Sequence, residues 1–400
     1  FNLTGAWGDR LDYVAGLYYS DEEFVQNRAF WAGGDQDGLW QIFWPVQAGL
    51  PAAVLEGLFD TESWAQEGLP TGDVRHQIDS ETLALFGHTT IAISDSLSAI
   101  VAARYSDEEK TMDRNNLLYA DVEDYAAYLE EQHLGAYLLG ANVAGPDIDG
   151  HKYSDDEWTY DLKLQWFVNP DTQVYGGYSR GFKAGGIGSD PEAGGGQPSG
   201  QNSAILLALA GIGNGTGYAE REDPAYEPEY IDAYEIGLKA DYWGGRGRTN
   251  MAIFRNEIED LQFSVFTGTG FRVLNASSAT VSGVELENFF AVTEGLRLGV
   301  SLTYLDSKYD EETPDGIPAG RELTNAPEWS AVVNANYEFG ITDGLGGYLN
   351  ANWMYRDDHY VSSTALQSAY DLLGLQLGMR DIQGRWDLRI WCDNCLDEEY

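Results

Sequence analysis

The residue types that most often carry out catalysis are few and scattered in this chain of 400 residues. The 5 histidines lie far apart in the sequence, and no two of them have the H-x-x-x-H spacing of a zinc site. There is no Ser-His-Asp cue, no phosphate-binding loop and no G-x-G-x-x-G after a strand-like segment. The sequence therefore predicts that the protein is not an enzyme and that it has no cofactor and no metal centre.

Two cysteines, Cys392 and Cys395, form a single C-x-x-C. On a helix or in a tight loop this spacing would suggest redox chemistry. On a strand, residues three apart point to opposite faces, and a disulfide is out of reach. Because we place a strand at 385–393, we interpret both cysteines as structural.

The charge balance of the chain is strongly acidic. There are 65 acidic and 23 basic residues, which gives a formal net charge of -42 at pH 7. Such a surface repels phosphates, so the balance excludes a protein that binds nucleic acid by neutralising its backbone. Hydrophobic residues make up 43% of the chain, which predicts a folded domain rather than an acidic disordered tail. No apolar run reaches the ~18 residues that a transmembrane helix needs.

Apolar and polar residues alternate in several segments. In 160–168, the even positions are aromatic or aliphatic, and the odd positions are polar apart from Phe167. The same pattern recurs at 234–242, 296–304, 331–339 and 373–380. Such alternation is typical of β-strands with one apolar and one polar face. It predicts an all-β protein of about fourteen strands, the first at 3–7 and the last at 385–393.

The connections between these strands differ sharply in length. Short turns are predicted at 8–10, 94–96, 169–172, 244–246, 293–295, 341–344 and 381–384. Long connections are predicted at 20–75, 112–153, 187–226 and 310–326, with helix-like pieces at 50–58, 117–139 and 203–212. A soluble β-sandwich rarely has such one-sided loops. Short periplasmic turns and long extracellular loops are typical of a transmembrane antiparallel β-barrel.

Two sets of side chains are candidates for binding. In a barrel whose outward positions are apolar, the alternate side chains face the lumen. The lumen-facing candidates are Arg180, Lys183, Glu235, Lys239, Glu285, Glu287 and Arg297. The loop aromatic candidates are Trp31, Trp40, Trp44 and Trp64. These four could stack on a ligand, or they could pack the first long loop onto itself.

Acidic runs are the remaining candidates for cation chemistry. They occur at 107–109, 155–157 and 310–312, next to long connections. One hypothesis is that these acidic loops bind divalent cations that bridge to lipopolysaccharide phosphates. The other, which we prefer, is solubilising charge at the rim. The segment 35–38 resembles half of a calcium loop, but no Glu completes its spacing.

The segment VYGGYSRGFKAGG at 174–186 resembles the TonB-dependent outer-membrane receptors. Other segments resemble the same family in the same order, at 80–110, 227–243, 275–290, 319–339 and 386–400. The last two read AGRELTNAPEWSAVVNANYEF at 319–339 and WDLRIWCDNCLDEEY at 386–400. Each segment alone is modest evidence, but together they extend over most of the chain.

The resemblance implies an N-terminal plug domain and a barrel of about twenty-two strands with a plugged lumen. We find about fourteen strands and no plug-like segment, so we expect residues 1–400 to be a partial barrel domain, without the plug, the first strands and the final strand. The alternative is a complete smaller barrel. The lumen-facing candidates would pair with the plug or with neighbouring strands, or else they contact the ligand.

The resemblance also implies a function in the outer membrane of a Gram-negative bacterium. The protein would be an energy-coupled receptor that imports a scarce nutrient, first an iron–siderophore complex and second a carbohydrate or other large nutrient. Expected partners are outer-membrane lipid, lipopolysaccharide, the nutrient, and an inner-membrane TonB complex that acts on the plug. Alternatives are a passive pore and a surface assembly or adhesion protein. The net charge disfavours strongly anionic cargo.

Overall fold

The computed structural model describes residues 1–32, 69–116, 148–188, 225–266, 271–275, 278–314 and 316–399. Strands dominate these residues, and none of them is helical, so this part of the chain has no helix that could cross a membrane. The strands are β1 (Asn2–Trp7), β2 (Leu11–Ala32), β3 (Leu69–Ala92), β4 (Leu97–Asn116), β5 (Ile148–Asn169), β6 (Thr172–Lys183), β7 (Gly186–Ile187), β8 (Ala225–Tyr226), β9 (Glu229–Tyr242), β10 (Gly247–Glu259), β11 (Gln262–Phe266), β12 (Phe271–Asn275), β13 (Ala279–Ala291), β14 (Leu296–Tyr309), β15 (Trp329–Thr342), β16 (Leu345–Arg356), β17 (His359–Tyr360), β18 (Leu366–Gln367), β19 (Tyr370–Asp381) and β20 (Asp387–Cys392).

One antiparallel sheet contains fourteen of these strands, in the order β1-β2-β3-β4-β5-β6-β9-β10-β13-β14-β15-β16-β19-β20. The strands β7–β8, β11–β12 and β17–β18 form separate two-stranded pairs. Each strand of the large sheet therefore pairs with the next one along the chain, as in an up-and-down barrel. The all-β fold and the number of strands predicted from the sequence are confirmed. β1 and β20 lie at the two edges of this sheet.

Short turns join the strands at one end of the sheet. Between β9 and β10, Trp243, Gly244 and Gly245 have φ values of 56°, 66° and 80°. Glycine adopts this conformation without the steric conflict that a Cβ causes. Between β5 and β6, the backbone N–H of Asp171 donates to Asn169 Oδ1 over 2.9 Å. The predicted short turns all lie between strands that pair with each other, which confirms them.

At the opposite end, the strands run further than the sequence predicts. β2 pairs with β3 as far as Ala32↔Leu69, and β4 pairs with β5 as far as Arg114↔Ile148. The long connections predicted at 20–75 and 112–153 are therefore partly strand. Alternation ends before the strands do, because a strand surrounded by water needs no apolar face while its backbone pairing continues. The helix-like pieces predicted at 50–58, 117–139 and 203–212 lie outside the described residues.

The two faces of the large sheet differ in polarity. On one face, Ile236, Leu85 and Leu164 are 65%, 57% and 54% exposed. A contiguous exposed apolar surface of this kind suits contact with hydrocarbon. Trp158 and Trp166 of β5 are also half exposed on this face, and their spacing along a tilted strand corresponds to roughly 19 Å of membrane thickness. We call this face the outer face and the polar one the inner face.

After β6 the chain folds back over the inner face. We call residues 184–188 and 225–228, which include β7 and β8, the strap. Its Ile187 packs against Met112 of β4 and Tyr153 of β5 in a buried apolar cluster. Gly185 lies so close to Tyr153 that a Cβ would come within 2.0 Å of the phenol oxygen. Lys110 Nζ donates to the Gly185 carbonyl over 2.7 Å, so the strap is fastened to the sheet.

The cysteines lie at the end of β20. The strand stops at Cys392, and the chain turns through Asn394 and Asp397, both with positive φ. Cys392 and Cys395 form a disulfide with Cα atoms 5.5 Å apart. The strand predicted at 385–393 is therefore too long, and the turn brings together two residues that a continuous strand would hold on opposite faces.

Candidate lumen-facing site

The pairing of the strands decides which predicted residues share a face, because directly opposite residues point to the same side of a sheet. Glu235 lies opposite Phe254, and Lys239 lies opposite Asn250, which in turn lies opposite Glu287. The same argument applies along β6, β13 and β14. The residues on the inner face are Lys183, Glu235, Lys239, Glu285, Glu287 and Arg297.

Arg180 lies on the outer face, and the prediction that it faces the lumen is wrong. It lies opposite Asp232 and shares its face with the exposed Tyr234 and Ile236. Its Nη1 atom is 2.7 Å from Asp232 Oδ2. The prediction failed because Gly176 and neighbouring small residues leave β6 without a clear alternation of apolar and polar positions.

The loop aromatic candidates are not brought together within the described residues. Trp31 belongs to the end of β2, where its backbone pairs with Pro70. Trp40, Trp44 and Trp64 lie outside the described residues. Stacking of these rings on a ligand therefore stays a prediction.

Tyr175 of β6 forms the centre of a polar network on the inner face. Its hydroxyl donates to Glu235 Oε1. The ammonium groups of Lys163 and Lys239 lie 5.7 Å and 5.5 Å from the centre of its ring. Gly237 makes this possible, since a Cβ there would come within 2.3 Å of the ring. The network joins two cations and a carboxylate around one phenol.

Sequence reasoning missed Tyr175 and Lys163 as members of this network. Lys163 was visible as a polar odd position in the alternation of β5. Tyr175 gave no such signal, because an aromatic residue on a barrel strand is equally typical of the outward aromatic girdles. The glycine opposite it, Gly237, is the feature that leaves room for the ring on the inner face.

The network borders an open concavity of about 840 Å³ on the inner face of β3–β6, β9, β10 and β13. Its lining includes His88, Arg104, Asp161, Lys163, Glu235 and Glu285. We call the inner side chains Asp161, Lys163, Glu235, Lys239, Glu285 and Glu287 the charged wall. Within the described residues, none of these six has an ion-pair partner. Pairing with neighbouring strands, one of the predicted roles, therefore does not occur there.

The inner face of β15, β16 and β19 carries a row of amides, beside an ion pair of 3.3 Å between Arg380 and Glu338. Asn352 Nδ2 donates to Asn334 Oδ1 over 2.5 Å, and Asn350 Nδ2 donates to Gln376 Oε1 over 2.8 Å. Asn336 lies opposite Asn350. We call these five side chains the amide wall. Four of its five members hydrogen-bond to one another across the strands.

Two of the acidic runs, 107–109 and 155–157, lie in the extensions of β4 and β5. Asp107 and Glu109 point outward, whereas Glu108 between them points inward, because the run lies within β4. Lys152 Nζ is 2.6 Å from Glu109 Oε1. Among the described residues, no three His, Cys, Asp or Glu side chains converge as metal ligands would. The third run, at 310–312, follows β14 directly.

Two solved structures share the fold of the chain. The ferric yersiniabactin uptake receptor FyuA from Yersinia pestis has a TM-score of 0.65 at 17% identity, and the match covers 99% of this chain and 48% of that chain. The siderophore receptor PiuA from Acinetobacter baumannii has a TM-score of 0.59 at 15% identity and 99% and 50% coverage. At these identities the similarity shows the fold alone.

Two curated relatives match parts of the sequence. The probable TonB-dependent siderophore receptor PiuA of Acinetobacter baumannii is 24% identical over 204 residues, which are 48% of this chain and 26% of the relative. The metal-pseudopaline receptor CntO of Pseudomonas aeruginosa is 29% identical over 115 residues, 29% of this chain and 16% of the relative. The matches thus span only a small part of either relative.

Residues 1–395 match the family described as "TonB dependent receptor-like, beta-barrel". The match extends over nearly the whole chain and agrees with the large antiparallel sheet and its apolar outer face. Members of this family are receptors and transporters of the Gram-negative outer membrane and not enzymes. The chain therefore belongs to the TonB-dependent receptor-like β-barrel family.

Proposed function

We propose that the chain is the barrel part of an energy-coupled receptor that imports an iron–siderophore complex. The observation that carries the proposal is the charged wall, whose side chains face the lumen without ion-pair partners among the described residues. Lumen charges cost free energy unless they are paired or hydrated. A plug domain in the lumen would supply the missing partners, and a plugged lumen distinguishes an energy-coupled receptor from an open pore.

The proposal that the cargo is an iron–siderophore complex draws on the relatives. PiuA is named as a probable siderophore receptor, CntO as a metal-pseudopaline receptor and FyuA as a ferric yersiniabactin uptake receptor. A carbohydrate or another large nutrient is the second candidate. The acidic composition of the chain favours a neutral or cationic complex over an anionic one.

The partners follow from the same proposal. The charged wall would contact a plug, and the plug would receive energy from an inner-membrane TonB complex. Residues 1–400 would then be a partial barrel domain, completed by further strands to about twenty-two. Within the described residues β1 and β20 are the edge strands of the large sheet, whereas a closed barrel pairs every strand on both sides, and this supports the proposal.

The outer rim suggests a further partner. Asp21, Glu81, Asp107 and Glu109 share the outer face above the apolar band. The phosphates of lipopolysaccharide would lie next to these carboxylates, so divalent cations would have to bind between the two sets of negative charges. Chelation of divalent cations should lower the melting temperature in lipopolysaccharide-containing bilayers but not in neutral detergent. An unchanged melting temperature in both would leave solubilising charge as the explanation.

Iron accumulation in cells tests the main proposal. Cells with and without the full-length gene are grown under iron restriction, and radioactive iron uptake from their own culture medium is measured with and without a protonophore. Deletion should lower uptake, and the protonophore should abolish the part that depends on the gene. Uptake that depends on the gene but resists the protonophore would indicate a passive pore. No dependence on the gene would contradict an iron cargo.

A further inference from the structure

The extracellular end of β5 carries oxygen donors that are not part of the charged wall. Tyr153, Asp155 and Glu157 occupy alternate positions and point to the inner face. Tyr230 of β9 starts from the outer face, beside Arg180, and its hydroxyl reaches past the end of the β5–β6 ladder to donate to Glu157 Oε1. We call these four side chains the mouth cluster. The strap packs against one side of it, through the contact between Gly185 and Tyr153.

Two oxygens of the mouth cluster are buried without a hydrogen-bond partner. Tyr153 is only 9% exposed, and its hydroxyl has no partner in the described structure. Asp155 Oδ2 is also buried and unpartnered there. Buried polar groups are normally hydrogen-bonded, because leaving one unsatisfied is costly. The Tyr153 hydroxyl and Asp155 Oδ2 are therefore candidates for binding a ligand.

Two cations near the mouth cluster, Lys110 and Arg180, have partners of their own. Lys110 pairs with Glu108 over 3.3 Å and donates to the strap carbonyl of Gly185. Arg180 stacks on the Tyr230 ring at 4.8 Å but pairs with Asp232. The carboxylates of Glu157 and Glu227 lie close enough to Asp155 to act on it electrostatically. The mouth cluster thus has an excess of negative charge in a partly enclosed place.

We propose that the mouth cluster binds a hard metal cation through Asp155 and Glu157, with the phenol oxygens of Tyr153 and Tyr230 as further donors. All of these donors are oxygens, which Ca²⁺ and related hard cations prefer, and such ions complete their coordination with carbonyls and water. Buried carboxylates are stable when they are paired or coordinate a metal. The cation would neutralise the mouth cluster and hold the strap against β5.

Asp155 and Asp156 provide a matched pair of variants. They are adjacent residues of the same type on one strand, and Asp156 points to the outer face, where its Oδ2 accepts from the Tyr105 hydroxyl over 3.1 Å. The full-length protein in detergent is titrated with Tb³⁺, whose emission is excited through nearby tyrosines. Asp155→Asn should weaken the tightest sensitised binding about tenfold or more. Asp156→Asn should leave it unchanged, and Ca²⁺ should compete in the wild type.

Thermal unfolding in EDTA checks that the variants fold. Without a cation, removal of a buried carboxylate charge should leave Asp155→Asn at least as stable as the wild type. Tyr153→Phe should reduce the sensitised emission at saturation, since it removes both a donor and the nearest sensitiser. The proposal is overturned if the wild type and both Asn variants bind Tb³⁺ equally. It is also overturned if Ca²⁺ raises the melting temperature of Asp155→Asn as much as that of the wild type.

Discussion

The charged wall and the amide wall are two parts of the same inner face, but they satisfy their polar groups in different ways. On the charged wall, Lys163, Lys239 and Glu285 have no ion-pair partner within the described residues. On the amide wall, Asn334, Asn350 and their neighbours bond to one another. A neutral amide can be satisfied by another amide across the strand, whereas a charge in a lumen needs an opposite charge or water.

The difference indicates which part of the inner face needs another domain to supply its interaction partners. Four of the five amides already hydrogen-bond to one another, so a partner that moves away from the amide wall loses few interactions. The charged wall leaves Glu235, Lys239 and their neighbours in need of opposite charges. We therefore expect a plug to be held mainly by the charged wall.

The largest expected effect comes from reversing charges on the charged wall. Lys163→Glu combined with Lys239→Glu adds carboxylates beside Glu235 and should repel any partner that complements the native pattern. Iron uptake by the full-length protein should fall about tenfold or more, since like-charge contacts cost several kcal/mol. Asn336→Ala on the amide wall is the control and should retain uptake. Equal uptake by the double variant and the control would break the distinction between the walls.

A substitution that disturbs the Tyr175 network should destabilise the barrel. Gly237→Ala places a Cβ within 2.3 Å of the Tyr175 ring, so the ring must move away from Glu235. Thermal unfolding in detergent should show a loss of about 1–3 kcal/mol, as for other overpacked sites. Gly340→Ala in β15 meets nothing within 4 Å and should be nearly neutral. A neutral Gly237→Ala would mean that Tyr175 is not fixed there.

Because Arg180 lies on the outer face, its substitution should lower the stability of the barrel without lowering transport. Arg180→Gln leaves the half-buried Asp232 without its cation and should lower the free energy of unfolding by about 1–2 kcal/mol. Uptake per folded molecule should stay at the wild-type level. A selective loss of uptake with normal stability would instead support the lumen role that the sequence predicted.

The smallest effect is expected on the amide wall. Asn350→Ala removes the 2.8 Å hydrogen bond to Gln376. Because water can replace it on an open wall, the loss of unfolding free energy should be only about 0.5–1 kcal/mol. Chemical denaturation of the variant measures it, with Asn336→Ala as reference. A large loss, or a loss of uptake, would show that the amide wall also has a partner.

The fold and most of the inner face follow from the sequence, and the exceptions have physical causes. Glu235 and Lys239 were placed correctly because β9 alternates from Tyr234 to Tyr242. Arg180 was assigned to the wrong face because the glycines of β6 interrupt the alternation of polar and apolar residues. The extensions of β2 to β5 were missed because strands outside the membrane lose the alternation while their ladders continue. The acidic run that contains Asp155 and Glu157 was a candidate from the sequence, but the approach of Tyr230 and of the strap could not be predicted, since both come from other parts of the chain.

Cysteine labelling in the full-length protein tests whether a plug covers the charged wall and leaves the amide wall accessible. Lys239→Cys and Asn336→Cys each place one thiol on the inner face, one on each wall, and the native cysteines are joined in a disulfide. The rate of reaction with a small water-soluble thiol reagent is measured with and without the segment that is proposed to form the plug. We predict slow labelling at 239, faster labelling at 336, and equally fast labelling at both after removal of that segment. Equal rates at the two positions in the full-length protein would contradict the account.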